Sequence, residues 1–324
     1  MANEKEIDLR DLTQLSGIGD GTSQKLKDNG FLNIMSIAAT TPGLLKDLAG
    51  ITEVGARKMI NKAREICKLG FELGIDVEKE KINNPKISTH CKSIDKLIGG
   101  GLELGTSMEA YGEGASGKTA LSHLLAVSCI KQFPESYVIY IDTESTFRPS
   151  RIRDFCKGFK VDPELVLKHI KVSTALSSDH QVLLTDQVEK EIDSGLDVKL
   201  VIIDSLTNHY RAEFQGRSTL ANRQQLLNNY LHKLSKLCDM YNVAVYLTNQ
   251  VQSDPGTIYG SPIKPIGGNI ISHFATTRVF IRKGQKGSKV MILIDSPNMS
   301  PGEAHFMLGT KEFESLDDKE DKGK

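Results

Sequence analysis

After Ile87, short apolar runs alternate along the chain with longer segments of mixed polarity. Runs that are almost continuously apolar are typical of strands buried on both faces, and the longer segments between them are typical of helices. We therefore predict an α/β fold with a mostly parallel sheet and helices on both faces. The predicted strands are Ser107–Tyr111, Tyr137–Ile141, Leu200–Ile203, Val243–Leu247, Arg278–Ile281 and Val290–Ile294. The last two are close in sequence, across Lys283–Lys289, and are expected to form an antiparallel hairpin.

The first 70 residues follow a different pattern, in which two similar glycine-containing turns each precede a Lys-bearing helical segment. The turns are Leu15–Gly19 and Leu48–Gly55. Glycine permits positive φ at such turns, and the free N–H groups of the following helix can meet a phosphate. This is the pattern of a helix-hairpin-helix domain, which binds the nucleic-acid backbone without reading its sequence. A plain helical bundle with glycine-capped turns is the alternative interpretation.

Composition shifts suggest four parts of the chain. We expect residues 1–70 to form the DNA-binding helical domain and residues 71–86 to form a polar linker. Residues 87–311 are then the α/β core, and the charged residues 312–324 are a disordered tail.

Overall composition narrows the class of protein. The chain has 324 residues, with 41 Lys and Arg against 41 Asp and Glu, so its net charge neither requires nor excludes a nucleic-acid partner. The five cysteines are scattered without a CxxC pair, which argues against a disulfide framework or a structural zinc site. The charged N-terminus does not resemble a signal peptide, and no apolar run reaches the roughly 18 residues of a membrane span. We expect a cytoplasmic protein with no membrane partner.

One segment carries a strong chemical signal. It fits G-x-x-x-x-G-K-[ST] in full, and it lies between a predicted strand and the predicted helix Thr119–Lys131. Such glycines let backbone N–H groups surround phosphates, and the helix N-terminus adds a favourable dipole. Lys118 is expected to reach the β- and γ-phosphates of ATP, and the Thr119 hydroxyl to hold Mg²⁺. The expected nucleotide-binding residues are Gly112, Glu113, Gly114, Ala115, Ser116, Gly117, Lys118 and Thr119.

Polar side chains follow three other predicted strands, where open α/β sheets gather their ligands. Asp204 suits a second magnesium-holding position, Glu144 suits orientation or deprotonation of a water, and Gln250 suits contact with a γ-phosphate. Asp142 competes with Glu144 for the same role. For any one of these residues alone, a capping or solvated side chain is the alternative interpretation.

Four motifs, taken together, resemble the archaeal RadA recombinases, which belong to the RecA-type strand-exchange ATPases. The motifs are Asp142–Pro149, Ile203–Thr207, Thr248–Gln252 and Pro265–Ile271, and the resemblance runs from about Leu12 to Phe306. It implies a RecA-like ATPase core that forms a helical filament with other copies of itself on single-stranded DNA. It also implies pairing with double-stranded DNA and strand exchange in recombinational repair, with ATP and Mg²⁺ as cofactors.

The resemblance also implies roles for individual residues at the nucleotide. Lys118, Glu144 and Gln250 match catalytic positions, and Thr119 and Asp204 match magnesium ligands. Arg148 and Arg151 match arginines that pack on the adenine. His273, Asp295 and Pro297 match residues that a neighbouring subunit places over ATP.

Further roles concern DNA and assembly. Two predicted loops, Asn208 to Gln224 and Gln252 to Pro265, match those that line the filament axis. The DNA-contacting candidates are Arg211, Arg217, Arg223, Lys264, Gly267 and Gly268. Phe71 and Gly74 belong to a segment that resembles the linker motif by which a Phe inserts into the adjacent subunit. An ordinary core Phe at the end of the small domain is the alternative for Phe71.

Some positions depart from the family pattern. Gly114 stands where Phe is usual, Ala120 where Gln is usual, and Phe274 where Ala is usual. These changes are compatible with an active recombinase, and also with an accessory paralogue that binds ATP and regulates another recombinase's filament. A helicase-like motor of the same superfold is a third hypothesis, which the helix-hairpin-helix pattern and Phe71 disfavour.

Overall fold

The computed structural model describes residues 11–15, 17–67, 69–253 and 263–317. The chain divides into two compact units. One comprises the described residues up to Asn83 together with Lys190–Gly195, and the other comprises Asn84–Glu189 and the described residues from Leu196 onward.

The N-terminal unit is helical. Its elements are a 3₁₀ turn Leu12–Gln14 and the helices α1 Asp20–Asp28, α2 Ile34–Ala38, α3 Pro42–Ala49, α4 Glu53–Ile66 and α5 Gly74–Asn83. Thr41 and Thr52 accept hydrogen bonds from backbone N–H groups of the first turns of α3 and α4, as good N-caps do. Gly17 and Gly50 have positive φ at the two repeated turns, which explains the glycines there.

The predicted polar linker is largely a helix. Residues Gly74–Asn83 form α5, none of whose side chains is buried. Its Glu, Lys and Ile residues are compatible with a helix, and the helix ends where Asn84 and Pro85 follow.

The larger unit contains the remaining helices and all the strands of the described residues. Its helices are α6 Lys92–Leu97, α7 Lys118–Gln132, α8 Pro149–Phe159, α9 Pro163–Lys168, α10 Ser178–Asp193 (whose last residues cluster with the N-terminal unit), α11 Asn208–Glu213, α12 Leu220–Tyr241 and α13 Asn269–Phe274. Its strands are β1 Lys86–Ile87, β2 Leu102–Glu103, β3 Ser107–Tyr111, β4 Tyr137–Asp142, β5 Ile170–Thr174, β6 Val198–Asp204, β7 Ala244–Asn249, β8 Val251–Ser253, β9 Ile263–Pro265, β10 Thr277–Lys283, β11 Lys289–Asp295, β12 Gly302–Leu308 and β13 Phe313–Ser315.

A nine-stranded sheet forms the centre of this unit, in the order β13-β12-β11-β10-β3-β7-β6-β4-β5. Strands β10, β3, β7, β6, β4 and β5 are parallel, and β11 to β13 are added antiparallel. Successive residues Leu200–Ile203 of β6 are all completely buried, so both faces of the sheet are covered. The predicted α/β class, the mostly parallel sheet and the β10–β11 hairpin are confirmed.

The strands that the sequence pattern missed lie toward the edges of the sheet. Strand β5 pairs only with β4 in the described sheet, and its exposed polar residues hide it from a search for apolar runs. Strands β12 and β13 alternate buried and exposed residues, as strands with one covered face do.

The expected disordered tail from Glu312 onward is wrong for its first residues. Phe313 is buried, and β13 pairs antiparallel with β12. The Phe313 ring lies 5.4 Å from the Phe306 ring and 6.0 Å from the Phe155 ring, between centroids. One aromatic residue therefore holds a segment whose charged neighbours suggested disorder. Residues 318–324 lie outside the described residues.

The first predicted loop, from Asn208 to Gln224, is mostly helical. It contains α11, a 3₁₀ turn Arg217–Thr219 and the beginning of α12. Helix α11 is stabilised by contacts with residues at the ends of other strands rather than by its local sequence. The second predicted loop begins and ends as the antiparallel ribbon β8–β9, and its residues 254–262 lie outside the described part of the chain.

Among the described helices, none combines the length and apolar character that crossing a membrane requires.

Candidate nucleotide-binding site

The candidates for phosphate binding, magnesium binding and catalysis meet at the carboxyl ends of four neighbouring parallel strands. The segment Gly112–Thr119 follows β3, Gln250 follows β7, Asp204 ends β6, and Glu144 follows β4 by two residues. Parallel strands direct these ends to one edge of the sheet, which we call the carboxyl edge. The opposite edge, where β3 and β10 begin, is the amino edge.

The backbone of the Gly112–Thr119 loop explains two of its three glycines. A Cβ on Gly112 would lie 2.1 Å from the carbonyl oxygen of Ile281, and Gly117 has φ +112°. Gly114 is different, because a Cβ there would meet nothing within 4 Å and its backbone is not left-handed. A side chain is therefore sterically allowed at Gly114, and its absence leaves the loop surface open.

The Lys118 amine is folded into its own loop. Its Nζ donates to the carbonyl oxygens of Gly112 at 2.8 Å and Glu113 at 2.9 Å, and to Ser116 Oγ at 3.4 Å. Burial lowers the pKa of Lys118, and the nearby charges of Asp204 and Glu144 oppose that shift. A desolvated ammonium group inside a ring of backbone groups is suited to binding phosphate oxygens.

Asp204 is a buried carboxylate surrounded by hydroxyl donors. Tyr140 Oη donates to it at 2.9 Å, Thr146 Oγ1 at 3.3 Å, and Thr248 Oγ1 also donates to it. Burial, together with the Asp204 charge, raises the pKa of Tyr140 well above its usual range. Tyr140 therefore stays a neutral hydrogen-bond donor to Asp204.

The residues present fit a magnesium ion held partly by substrate. Asp204 supplies a carboxylate and Thr119 a hydroxyl, both hard oxygen ligands, and Mg²⁺ commonly takes one or two protein carboxylates plus phosphates and waters. Within the described residues, no group of three or more His, Cys, Asp or Glu residues converges on a metal position. In a magnesium site of that kind, phosphate oxygens and waters would complete the coordination.

Asp142 and Glu144, which compete for the same role, differ in their hydrogen-bond partners. Asp142 is buried and accepts from three backbone N–H groups, those of Glu144 and Thr146 at 3.1 Å and of Phe147 at 2.9 Å. It shapes the turn after β4. Within the described residues, Glu144 instead accepts from two side chains, through Ser205 Oγ at 2.6 Å and Gln250 Nε2 at 2.7 Å. Its carboxylate can exchange these partners for a water.

Gln250 joins this carboxylate to the first predicted DNA segment. Its Nε2 donates to Glu144, while its Oε1 lies 3.5 Å from Nη1 of Arg211 on α11. Helix α11 is also tied to the turn after β4, because Asn208 Nδ2 donates to the Thr143 carbonyl at 2.8 Å. The candidate catalytic carboxylate is therefore linked to α11 through Gln250.

Sequence reasoning missed two residues at this edge. The buried His123, one helical turn after Thr119, pairs its Nδ1 with the Thr119 carbonyl at 2.6 Å and accepts from the Arg148 N–H at Nε2, at 3.0 Å. Burial lowers its pKa, in keeping with a neutral ring. Lys289, at the beginning of β11, donates to the Ala115 carbonyl at 2.9 Å. Only the i, i+4 spacing of His123 from Thr119 was visible in the sequence.

Comparison with known proteins agrees with this geometry. The Rad51 family profile matches residues 80–315, and a profile of SAM-like tandem helix-hairpin-helix domains matches residues 9–65. The chain belongs to the Rad51 family. Two similar relatives are both named DNA repair and recombination protein RadA. The one from Methanocorpusculum labreanum is 43% identical over 93% of this chain and 97% of its own length. The one from Aeropyrum pernix is 38% identical over 94% and 97%, respectively.

Membership of the Rad51 family implies, in general terms, a DNA-dependent ATPase that uses ATP and Mg²⁺. The resemblance seen in the sequence is thereby confirmed at the level of the family. The RecA-like core and the helix-hairpin-helix class of the N-terminal unit are confirmed with it.

The two arginines expected at the adenine lie beside the carboxyl edge and bond to backbone oxygens. Arg148 is exposed, and its Nη1 donates to the carbonyls of Ser145 and Phe147. Arg151 donates to the carbonyls of Gly309 and Thr310, in the turn between β12 and β13. The Arg151 guanidinium also lies 4.2 Å from the centre of the Phe155 ring. Their contact with adenine stays a prediction.

Three expected nucleotide contacts are not brought to the loop that carries Lys118. His273 lies on α13, whose last carbonyl accepts from Ser107 Oγ at the first residue of β3. Asp295 is opposite Arg278 near the beginning of β10, and Pro297 follows it. All three are exposed and lie at the amino edge of this Rad51-family sheet.

The DNA-contact candidates lie on α11, on α12 and beside β9. Arg211 is exposed on α11, Arg223 is half-buried on α12, and Lys264 is exposed on β9. Arg217 lies in the 3₁₀ turn, and its side chain is outside the described part of the structure. Gly267 and Gly268 both have positive φ in the turn before α13.

Phe71 is not a core residue, so that alternative is wrong. Its side chain is completely exposed, as is most of the Leu73 side chain, and Gly74 begins α5.

Proposed function

We propose that this protein is an ATP-dependent DNA recombinase. It forms filaments on single-stranded DNA and catalyses homologous pairing with duplex DNA and strand exchange in recombinational repair. It acts in the cytoplasm, at the nucleoid, because its substrate is chromosomal DNA. The observation that carries the proposal is the contact series from Ser205 through Glu144 and Gln250 to Arg211, which joins an ATP-type site to a predicted DNA segment. The names of the two RadA relatives support the same activity.

The residues of the carboxyl edge divide the hydrolytic work. Lys118 binds the β- and γ-phosphates, and its loop N–H groups orient them. Thr119 and Asp204 would hold Mg²⁺, and the bound ion would neutralise charge on the phosphates. Glu144 orients the attacking water and accepts its proton. Gln250 couples the presence of the γ-phosphate to the position of α11 through its contact with Arg211. Catalysis of this kind depends mainly on positioning and electrostatic stabilisation.

A second copy completes the ATP site. His273, Asp295 and Pro297 lie at the amino edge, so they serve the nucleotide of the adjacent copy rather than their own. Such a contact is head-to-tail, and it generates a helix or a ring according to whether the rotation closes. Hydrolysis is then coupled to the state of the assembly.

The exposed Phe71 is proposed to anchor the same assembly. Strand β5 is an edge of the described sheet, and exposed apolar side chains follow along and beyond it, at Val172, Leu176 and Leu183. An edge strand can accept an extended segment, and alternate side chains of that segment then fill apolar pockets. The segment around Phe71 of an adjacent copy fits this surface.

Phosphate contacts account for DNA binding in this proposal. Arg211, Arg217, Arg223 and Lys264 supply charge, and the N–H groups near Gly267 and Gly268 supply backbone donors. Such contacts bind phosphates rather than base edges, so binding has little sequence preference and weakens steeply with salt.

An accessory role is the second candidate, and Gly114 favours it. The space beside Gly114 is open where the family carries an aromatic ring, so contact between the nucleotide loop and the adjacent copy is reduced. In this alternative the chain binds ATP and stabilises or regulates another recombinase's filament, without strand exchange of its own.

A strand-exchange assay with the purified chain alone tests the proposal. Homologous single-stranded and duplex DNA are mixed with ATP and Mg²⁺, and electron microscopy follows filament formation with a non-hydrolysable ATP analogue. We expect ATP-dependent filaments and joint molecules, and neither with Lys118→Ala. Filaments without exchange would favour the accessory role. Filaments that form equally well with Lys118→Ala would contradict the proposed mechanism.

A further inference from the structure

A buried ion pair lies in the centre of the sheet, outside the nucleotide site. Glu109 of β3 is completely buried, and Arg278 of the adjacent β10 is 8% exposed. Arg278 Nε donates to Glu109 Oε2 at 2.8 Å, and the two residues are opposite each other in the parallel register. A buried carboxylate requires such a partner, because an unpaired charge in the interior is strongly destabilising.

The second carboxylate oxygen of Glu109 is connected to both predicted DNA segments through the side chain of Asn249. Asn249 Nδ2 donates to Glu109 Oε1 at 2.8 Å and to the Ile266 carbonyl at 2.7 Å. Asn249 Oδ1 accepts from Thr207 Oγ1 at 2.8 Å. Both hydrogens and the oxygen of one amide are therefore engaged, and its orientation is fixed.

The two partners of Asn249 outside the ion pair, Thr207 and Ile266, lie next to the predicted DNA segments. Thr207 immediately precedes α11, which carries Arg211, and its hydroxyl is used for Asn249 rather than as a cap for that helix. Ile266 immediately precedes the Gly267–Gly268 turn. One buried amide thus holds the beginning of the first segment and the end of the second at a fixed separation.

At its other end, the network extends to the amino edge through Arg278. Arg278 is opposite Asp295 in the antiparallel register of β10 and β11, and Asp295 is the residue proposed to face the nucleotide of the adjacent copy. The network, defined as Arg278, Glu109, Asn249 and Thr207, therefore crosses the sheet from that position to α11.

Stability alone does not explain the network. Replacing a buried ion pair by well-packed apolar residues is often neutral or stabilising, because the desolvation cost disappears. Fully satisfied polar networks instead fix one arrangement of the elements that they join. The elements joined here are those proposed to bind DNA.

We infer that Arg278, Glu109 and Asn249 are positioning residues that hold α11 and the Ile266–Gly268 turn in the arrangement through which bound DNA accelerates ATP hydrolysis. This inference rests on the proposed function. Within the described residues, none of the three forms a hydrogen bond or ion pair with Lys118, Glu144 or Asp204, so we expect ATP binding and hydrolysis without DNA to be independent of the ion pair.

Two single variants test the inference, one in the ion pair and one at the α11 end of the network. Glu109→Gln keeps an acceptor for Asn249 but removes the charge, and Thr207→Val removes one hydroxyl without changing side-chain shape. Thr89→Val is the matched control, because the Thr89 hydroxyl is also buried and donates to Asp95 Oδ1 at 2.7 Å, beside α6 rather than α11. The turnover number for ATP is measured with and without single-stranded DNA, together with nucleotide affinity and the thermal unfolding midpoint.

We expect Thr207→Val and Glu109→Gln to keep DNA-independent turnover and nucleotide affinity, and to lose about 5- to 20-fold of the stimulation by DNA. Thr89→Val should keep the stimulation. If Glu109→Gln does not fold, Thr207→Val decides alone. Intact stimulation in Thr207→Val, or an equal loss of turnover with and without DNA, would overturn the inference. Wild-type protein without any stimulation would instead refute the proposed function itself.

Discussion

The carboxyl and amino edges of the sheet differ in how completely their candidate residues are engaged. At the carboxyl edge, Lys118, Asp204 and Glu144 each have hydrogen-bond partners within the same chain. At the amino edge, His273 and Asp295 are exposed. Electrostatic catalysis depends on groups held in place before the reaction. The carboxyl edge is prepared in a single copy, whereas we propose that the amino edge acts only when another copy adjoins it.

The largest expected effect is at the carboxyl edge. Lys118→Ala removes the amine that faces the phosphates, so nucleotide affinity should fall by at least about 100-fold, or about 2.8 kcal/mol. Binding of a fluorescent ATP analogue measures this loss. Lys168→Ala, an exposed lysine on α9, is the control and should bind normally. Normal binding by Lys118→Ala would remove this edge from the nucleotide site.

Glu144→Gln separates hydrolysis from binding. The amide cannot accept a proton from water, so the turnover number should fall by about 10²- to 10³-fold while ATP affinity stays near the wild-type value. Steady-state hydrolysis and equilibrium binding are measured in parallel. Asp142→Asn is the comparison, since Asp142 holds the turn through backbone N–H groups. If Asp142→Asn loses turnover without losing thermal stability and Glu144→Gln does not, the two roles are reversed.

Asp295→Ala addresses the amino edge. In a Phe71→Glu background, which is proposed to keep copies apart, it should leave nucleotide affinity within about twofold, because an exposed charge contributes little to its own chain. In the assembling protein it should lower DNA-dependent hydrolysis by about tenfold, or about 1.4 kcal/mol. An equal loss of affinity in separated copies would place Asp295 at its own chain's nucleotide.

The smallest expected effect is at Gly114. The space beside it is open, so Gly114→Phe should fold normally and bind ATP as before. The added ring would contact the adjacent copy, and DNA-stimulated hydrolysis should rise by about two- to threefold, or about 0.5 kcal/mol. Unchanged hydrolysis, with normal folding, would show that the departure at Gly114 has no bearing on coupling between copies.

The sequence predicted well those features that local pattern determines. The central strands are apolar runs, and the loop from Gly112 to Thr119 combines a fixed spacing with a strand before it and a helix after it. Strand β5 was missed because its edge position leaves its polar residues in solvent. Helix α11 was expected to be a loop because its stability comes from distant partners, such as the Thr143 carbonyl that accepts from Asn208.

The same limit applies to the site. Asp142 and Glu144 are chemically alike in sequence, and only the backbone N–H groups around Asp142 distinguish them. His123 bonds to the Arg148 N–H and Lys289 to the nucleotide loop only in the folded chain, and no motif marks either residue. The Glu109–Arg278 pair requires the strand order, which places β10 beside β3.

Mixing two variants tests the shared site most directly. Glu144→Gln damages the carboxyl edge and Asp295→Ala the amino edge, and Glu144→Gln is expected still to bind ATP. In a head-to-tail assembly, a junction between the intact carboxyl edge of one variant and the intact amino edge of the other is complete. An equimolar mixture should therefore recover about a quarter of wild-type DNA-dependent ATP hydrolysis. Hydrolysis no higher than the mean of the two variants alone would show that each chain completes its own site.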